Sequence, residues 1–174
     1  TTPPAAAGAK QAGRNLPIVF ISGIDPVAEG LVDSSARPGR KMTGMTYRGQ
    51  AMLDKALDML RELLPSARRV ALLEQADVPR PEAVGDFFRR RFAAHGLEVE
   101  IFWIGQPGEL DEIFARIARS KPAAVYAGAR PFFVSHARKI ADLSLAARLP
   151  LFATRPPFVD PGGLLTYDHT PQAA

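Results

Sequence analysis

Apolar runs recur at a steady interval along the second two-thirds of the chain. "VALLE" (70–74), "LEVEIFWI" (97–104), "AAVYAGA" (123–129) and "PLFAT" (150–154) are short and rich in β-branched or aromatic residues. Runs of this length and composition predict buried strands. Between them the apolar positions fall three and four residues apart, which predicts helices. Val84, Phe87, Phe88 and Phe92 share a face in "PEAVGDFFRRRFAAHG", with Pro81 suited to a first turn and Gly96 to the closing cap. Leu110, Ile113, Phe114 and Ile117 make a second stripe, and Phe133, Ala137, Ile140 and Ala141 a third. Ahead of these, "GQAMLDKALDMLRELLP" sets Leu53, Ala56, Leu57 and Leu60 against Asp54, Lys55, Asp58 and Arg61, and Pro65 ends it. Strand–helix units in this order are βαβ crossovers. The expected fold class is therefore α/β, a Rossmann-like parallel sheet with helices on both faces.

The first 46 residues follow another rhythm. "PPAAAGAKQAG" reads as a short Ala-rich helix, "LPIVFIS" as a strand, "PVAEGLVDSSA" as a short helix and "KMTGMT" as a second strand. Two strands and two short helices are too little for an independent domain. The expectation is that 1–46 is part of a sheet completed by residues ahead of this chain. At the far end "GGLLTYDHTPQAA" supplies a short strand, "LLTY", and then a polar tail.

In an open parallel sheet ligands bind beyond the carboxyl ends of the strands, so the residues leaving each strand are the candidates. Ser22 ends the first strand and Asp25 follows it, as a plausible N-cap before Pro26. Glu74 and Gln75 leave the strand at 70–74. Arg130 leaves the strand at 123–129, and Arg155 the strand at 150–154. Thr43 and Tyr167 lie on two short strands that link the parts of the chain. A guanidinium at a strand exit suits a carboxylate or phosphate bidentately, and equally suits pairing with a nearby acid.

Composition narrows the chemistry. The 174 residues are 47% apolar and 23% charged, which fits a globular protein and excludes a low-complexity chain. There is no cysteine, so disulfides, thiolate nucleophiles and Cys-type zinc sites are excluded. The net charge of +4 is mild. The clusters Arg68-Arg69 and Arg89-Arg90-Arg91 read as solvated helix faces rather than a nucleic-acid groove. No apolar run reaches the ~18 residues of a membrane span, so this segment is not expected to insert. No glycine-rich phosphate loop or G-x-S-x-G elbow occurs. His95, His136 and His169 have no metal-ligand spacing, and His95 reads as a last-turn residue favoured by the helix dipole. An acid–base pair does not follow from the sequence, no cofactor is implied, and no enzyme is expected.

"LPIVFISGIDPVAEGLVDSSARPGRKMTGMT" closely resembles the ABC-transporter substrate-binding proteins related to the TrpX-type tryptophan- and phenylalanine-binding lipoproteins. Members carry an I-P-I-V-F strand, a D-P-V-x-x-G-L-V helix start, an A-R-P-G turn and an N-V-T-G strand, where this chain has Lys41-Met42-Thr43-Gly44. "LDMLRELLPSARRVALL" and "PLFATRPPFVDPGGLLTYD" extend the likeness along essentially the whole chain. The resemblance implies the type I periplasmic binding fold, with two Rossmann-like lobes joined by crossover strands. On that pattern 1–46 is part of lobe 1 with the first crossover, 47–162 is lobe 2, and 163–174 is a crossover strand back towards lobe 1. It further implies export to the periplasm or an extracytoplasmic membrane anchorage, with the signal segment or any lipid anchor ahead of this chain. The implied partners are a small-molecule ligand captured between the lobes and an ABC permease, with no nucleic acid. Amino-acid-binding members tend to carry Asn-Pro where this chain has Glu74-Gln75, and Asp-Asn where it has Arg130-Pro131. An Asp suits a ligand ammonium, whereas an Arg attracts an anion. The expected ligand is therefore anionic or carboxylate-bearing, held by Arg130 and Arg155. Two alternatives share the fold class: an effector domain of a regulator, and a Rossmann-like enzyme.

Overall fold

The computed structural model describes residues 16–22, 26–27, 30–34, 36–39, 41–46, 49–77, 81–128 and 130–166. The N-terminal Ala-rich helix expected at 3–13 lies outside them, as do Asp25, Tyr167 and His169. The chain divides into two compact units, within Thr1–Ala51 and Met52–Ala174.

In the first unit β1 (Ile18–Ser22) and β2 (Met42–Thr46) pair in parallel, from Ile18 opposite Met42 to Ser22 opposite Thr46. Phe20 and Met42 face one way and are buried with Leu31 and Val32. The short helix expected over 26–36 is not what the described residues form. The Leu31 N–H donates to Pro26 C=O at 2.8 Å and the Gly30 N–H to Val27 C=O at 2.9 Å, with Gly30 at φ 64°. These are the bonds of a Schellman closure. Leu31–Asp33 then bend, because a left-handed glycine ends helical geometry there.

Helix α1 (Gly49–Leu63) starts at the end of the first unit and continues into the second, which also holds β3 (Arg69–Gln75), α2 (Pro81–Ala94), β4 (Glu98–Ile104), α3 (Leu110–Ser120), β5 (Ala124–Ala127), α4 (Pro131–Ser135), α5 (Ala137–Ala146), β6 (Leu151–Ala153) and β7 (Leu165–Thr166). The strands form a five-stranded sheet in the order β4-β3-β5-β6-β7, every pair parallel. The period-2 alternation of a strand sorts the side chains between two faces. Val70, Leu72, Ala124, Tyr126 and Phe152 point to one face, where Leu57 and Leu60 of α1 and Phe92 of α2 cover them. Ala71, Leu73, Val125, Ala127, Leu151 and Ala153 point to the other, under Ile113, Phe114 and Ile117 of α3 and Ile140 of α5. Helices on both faces bury the sheet twice over, which is why its strands read as continuous apolar runs.

Helix ends follow the sequence closely. Gly96, at φ 70°, closes α2: the Leu97 N–H donates to Phe92 C=O at 3.0 Å and the Gly96 N–H to Ala93 C=O at 2.9 Å. The third stripe, Phe133 to Ala141, is divided between two helices instead of lying on one. His136 separates them at φ −112°, ψ 17°. Its ring Nδ1 lies 2.8 Å from Phe132 C=O, the carbonyl that its own N–H would take in an unbroken helix.

Candidate functional site

The sheet is built outward from β3. The chain first adds β4 on one side, then crosses to add β5 and β6 on the other. The strand order therefore reverses between β3 and β5, and beside such a switch point the crossovers diverge and leave a crevice at the carboxyl ends. Glu74 and Arg130 leave the two strands that flank this point.

The structure joins them. Arg130 Nε donates a short hydrogen bond to Glu74 Oε1, across 56 residues of chain. Glu74 is 4% exposed and its carboxylate also accepts the Gln75 backbone N–H at 2.9 Å. The Arg130 side chain is 34% exposed, so it is the solvent-facing member of the pair. Burial pushes the Glu74 carboxyl above the ordinary glutamate range. The Arg130 charge and the hydrogen bonds from Gln75 and Arg130 pull it back, and Asp77 adds a small push upward. The net is a carboxylate whose ionised form depends on its arginine.

The other expected residues are distributed around this pair or away from it. Gln75 is the half-buried last residue of β3. Arg155 follows the β6 exit and is exposed, starting a 3-10 turn at Pro156–Phe158. Thr43 is exposed on β2, and Ser22 ends β1, both in the first unit. Asp25 and Tyr167 lie outside the described residues. Thr154, buried at the β6 exit, carries a hydroxyl with no hydrogen-bond partner among the described residues, and sequence reading passed it over. Its signal was its place immediately before Arg155, at a strand end.

A second polar cluster sits between α1 and α2. His95 lies 3.0 Å from Asp58 and 3.4 Å from Asp54, and Arg91 binds Asp54 at 2.6 Å. The helix-dipole reading of His95 thus gains two carboxylate neighbours from another helix. Among the described residues no group of His, Asp and Glu is arranged to hold a metal ion. No helix there is long and apolar enough to cross a membrane.

The whole length agrees with one family. Residues 1–171 match the ABC transporter substrate binding protein family. The chain belongs to it. This is a family of substrate-binding proteins, not of enzymes. The chain is 22% identical over 161 residues to a tyrosine-binding protein of Clostridioides difficile (strain R20291), covering 92% of this chain and 46% of that protein. It is similar in fold to an ABC domain from Streptococcus pneumonia solved with L-Trp, at a TM-score of 0.70 and 21% identity, over 92% of this chain and 55% of the other. A ligand-free, open substrate-binding protein with adhesive properties from Clostridium difficile gives a TM-score of 0.64 at 20% identity, over 92% and 54%. The chain thus spans about half the length of these relatives. Their folds agree with the Rossmann-like parallel architecture described above.

Proposed function

We propose that the protein captures a small organic carboxylate for an ABC importer, and that Arg130, held by Glu74, is the anionic ligand's anchor. The observation that carries this reading is the Glu74–Arg130 pair at the switch point. A buried carboxylate orients the guanidinium through Nε, and the fork's remaining donors can serve a second carboxylate. The relatives that bind tyrosine and tryptophan support a ligand of amino-acid size, with an aromatic acid fitting the charge better than an amino acid does. The nearest acid to Arg130 is already engaged by it and is a poor seat for an ammonium. Arg155, at the next strand exit, is the second candidate contact, and Gln75 borders the pair. In the whole protein Ser22, Asp25, Thr43 and Tyr167 are proposed to complete the ligand's surroundings, on the pattern of two lobes closing on a solute. Lobe 1 then takes in 1–46, lobe 2 takes in 47–162, and 163–174 crosses back. Closure would be what an ABC permease recognises, in an extracytoplasmic setting.

A melting-temperature screen of the full-length protein tests this. Aromatic acids, dicarboxylates, amino acids and inorganic phosphate are each added in excess. A ligand present at about 100 times its Kd stabilises the native state by ~2.7 kcal/mol, which is readily seen as a shift. Shifts with aromatic acids or dicarboxylates support the reading. Shifts confined to amino acids or to inorganic phosphate sink it.

A further inference from the structure

Strands β5 and β6 end level with Leu73 of β3, which itself runs on to Gln75. Leu73, Ala127 and Ala153 are aligned across the sheet, so Glu74, Gly128 and Thr154 follow as a row along its carboxyl edge. Glu74 and Thr154 are 4% and 8% exposed. The Thr154 hydroxyl is sealed from solvent with no partner among the described residues, a state that folded proteins avoid unless something fills it. Gly128 lies between them. Its backbone is not among the positive-φ glycines, so no turn demands glycine there. A Cβ built on it meets nothing within 4 Å. Neighbouring strands are about 4.8 Å apart, so Glu74 and Thr154 stand about two strand intervals apart, and no described side chain comes within 4 Å of a Cβ at the position between them.

We infer that this row is the seat of the ligand's carboxylate: Arg130 supplies the charge, the Thr154 hydroxyl donates a hydrogen bond, and the position over Gly128 admits the group between them. The inference rests on the carboxylate reading above and adds Thr154 and Gly128 as the residues that set its selectivity. A side chain at 128 would occupy the seat. Loss of the hydroxyl would leave a ligand oxygen short of one donor.

Calorimetric titration of the full-length protein decides it, with phenylpyruvate, L-tyrosine and succinate as probes. Thr154→Val keeps the shape and removes the donor. It should raise the Kd of the bound probe at least about fivefold, the effect of one lost hydrogen bond, while Thr154→Ser stays close to wild type. The unliganded Thr154→Val protein should melt no lower than wild type, because it loses an unsatisfied group. Gly128→Val should weaken binding with little change in melting. Ser144→Ala is the control. It removes the other buried, unpartnered hydroxyl, which lies on α5 towards the start of β6, and should leave Kd unchanged. An unchanged Kd in Thr154→Val with a lowered melting temperature makes the hydroxyl structural and overturns the inference alone. If no probe binds the wild type, the carboxylate reading falls and this inference falls with it.

Discussion

Glu74 shows how one residue's environment can be read as a pH dependence. Burial raises its folded-state pKa above the ordinary 4.5. A carboxyl with a raised folded pKa stabilises the fold most when protonated, below its unfolded value. That contribution is lost as the pH rises through the folded value. Wild type should therefore lose stability relative to Glu74→Gln as the pH is raised from about 4.5, in denaturant melts taken at several pH values. A flat difference would mean that Arg130 fully offsets the burial. Arg130→Ala removes that offset. Breaking a fully buried pair costs about 3–5 kcal/mol, but Arg130 is a third exposed, so about 1–3 kcal/mol is expected here. The loss should be smaller at pH 5 than at pH 8, because the stranded Glu74 can take up a proton. An equal loss at both would point to packing rather than charge.

The helices and strands were legible because each obeys a local rule. Buried parallel strands leave continuous apolar runs, and Phe92 or Ile117 mark the inner faces of their helices by spacing alone. What escaped depends on longer connections or on a single side chain. The break at His136 comes from its ring taking a backbone carbonyl, which periodicity does not register. The Glu74–Arg130 bond follows only once β3 and β5 are known to be neighbours, and the His95–Asp58 contact only once α1 and α2 share a face. Both arginines at the strand exits were found from the sequence. The partner of Arg130 was not, and Thr154 and Gly128 are marked only by their places at strand ends. Helix ends make a further test. Arg148 closes α5 at φ 54°, with the Leu149 N–H bonding Ser144 C=O at 2.9 Å. A left-handed non-glycine residue is strained by ~1–2 kcal/mol, so Arg148→Gly should raise stability by about 0.5–1 kcal/mol after the entropy cost of glycine. Gly96→Ala should lower it by about 1 kcal/mol through the same effect reversed. Unchanged melting in both variants would show that these caps do not control their helices.

At the scale of the whole molecule, family membership, a doubly covered parallel sheet and an ion pair at its switch point belong together. A binding protein needs no reactive group, only complementary charge held in a fixed place, which in the proposed reading is the carboxyl edge of the sheet. The charge of the anchor separates the carboxylate reading from an amino-acid reading. The most direct test is titration of the full-length protein with phenylpyruvate and with phenethylamine, before and after Arg130→Ala, under conditions where circular dichroism shows both proteins folded. The account predicts that only the acid binds, and that its Kd rises at least about tenfold without the guanidinium, as expected when a desolvated charge pair loses one partner. Binding of the acid with the same Kd in Arg130→Ala, or preferential binding of the amine, would contradict it.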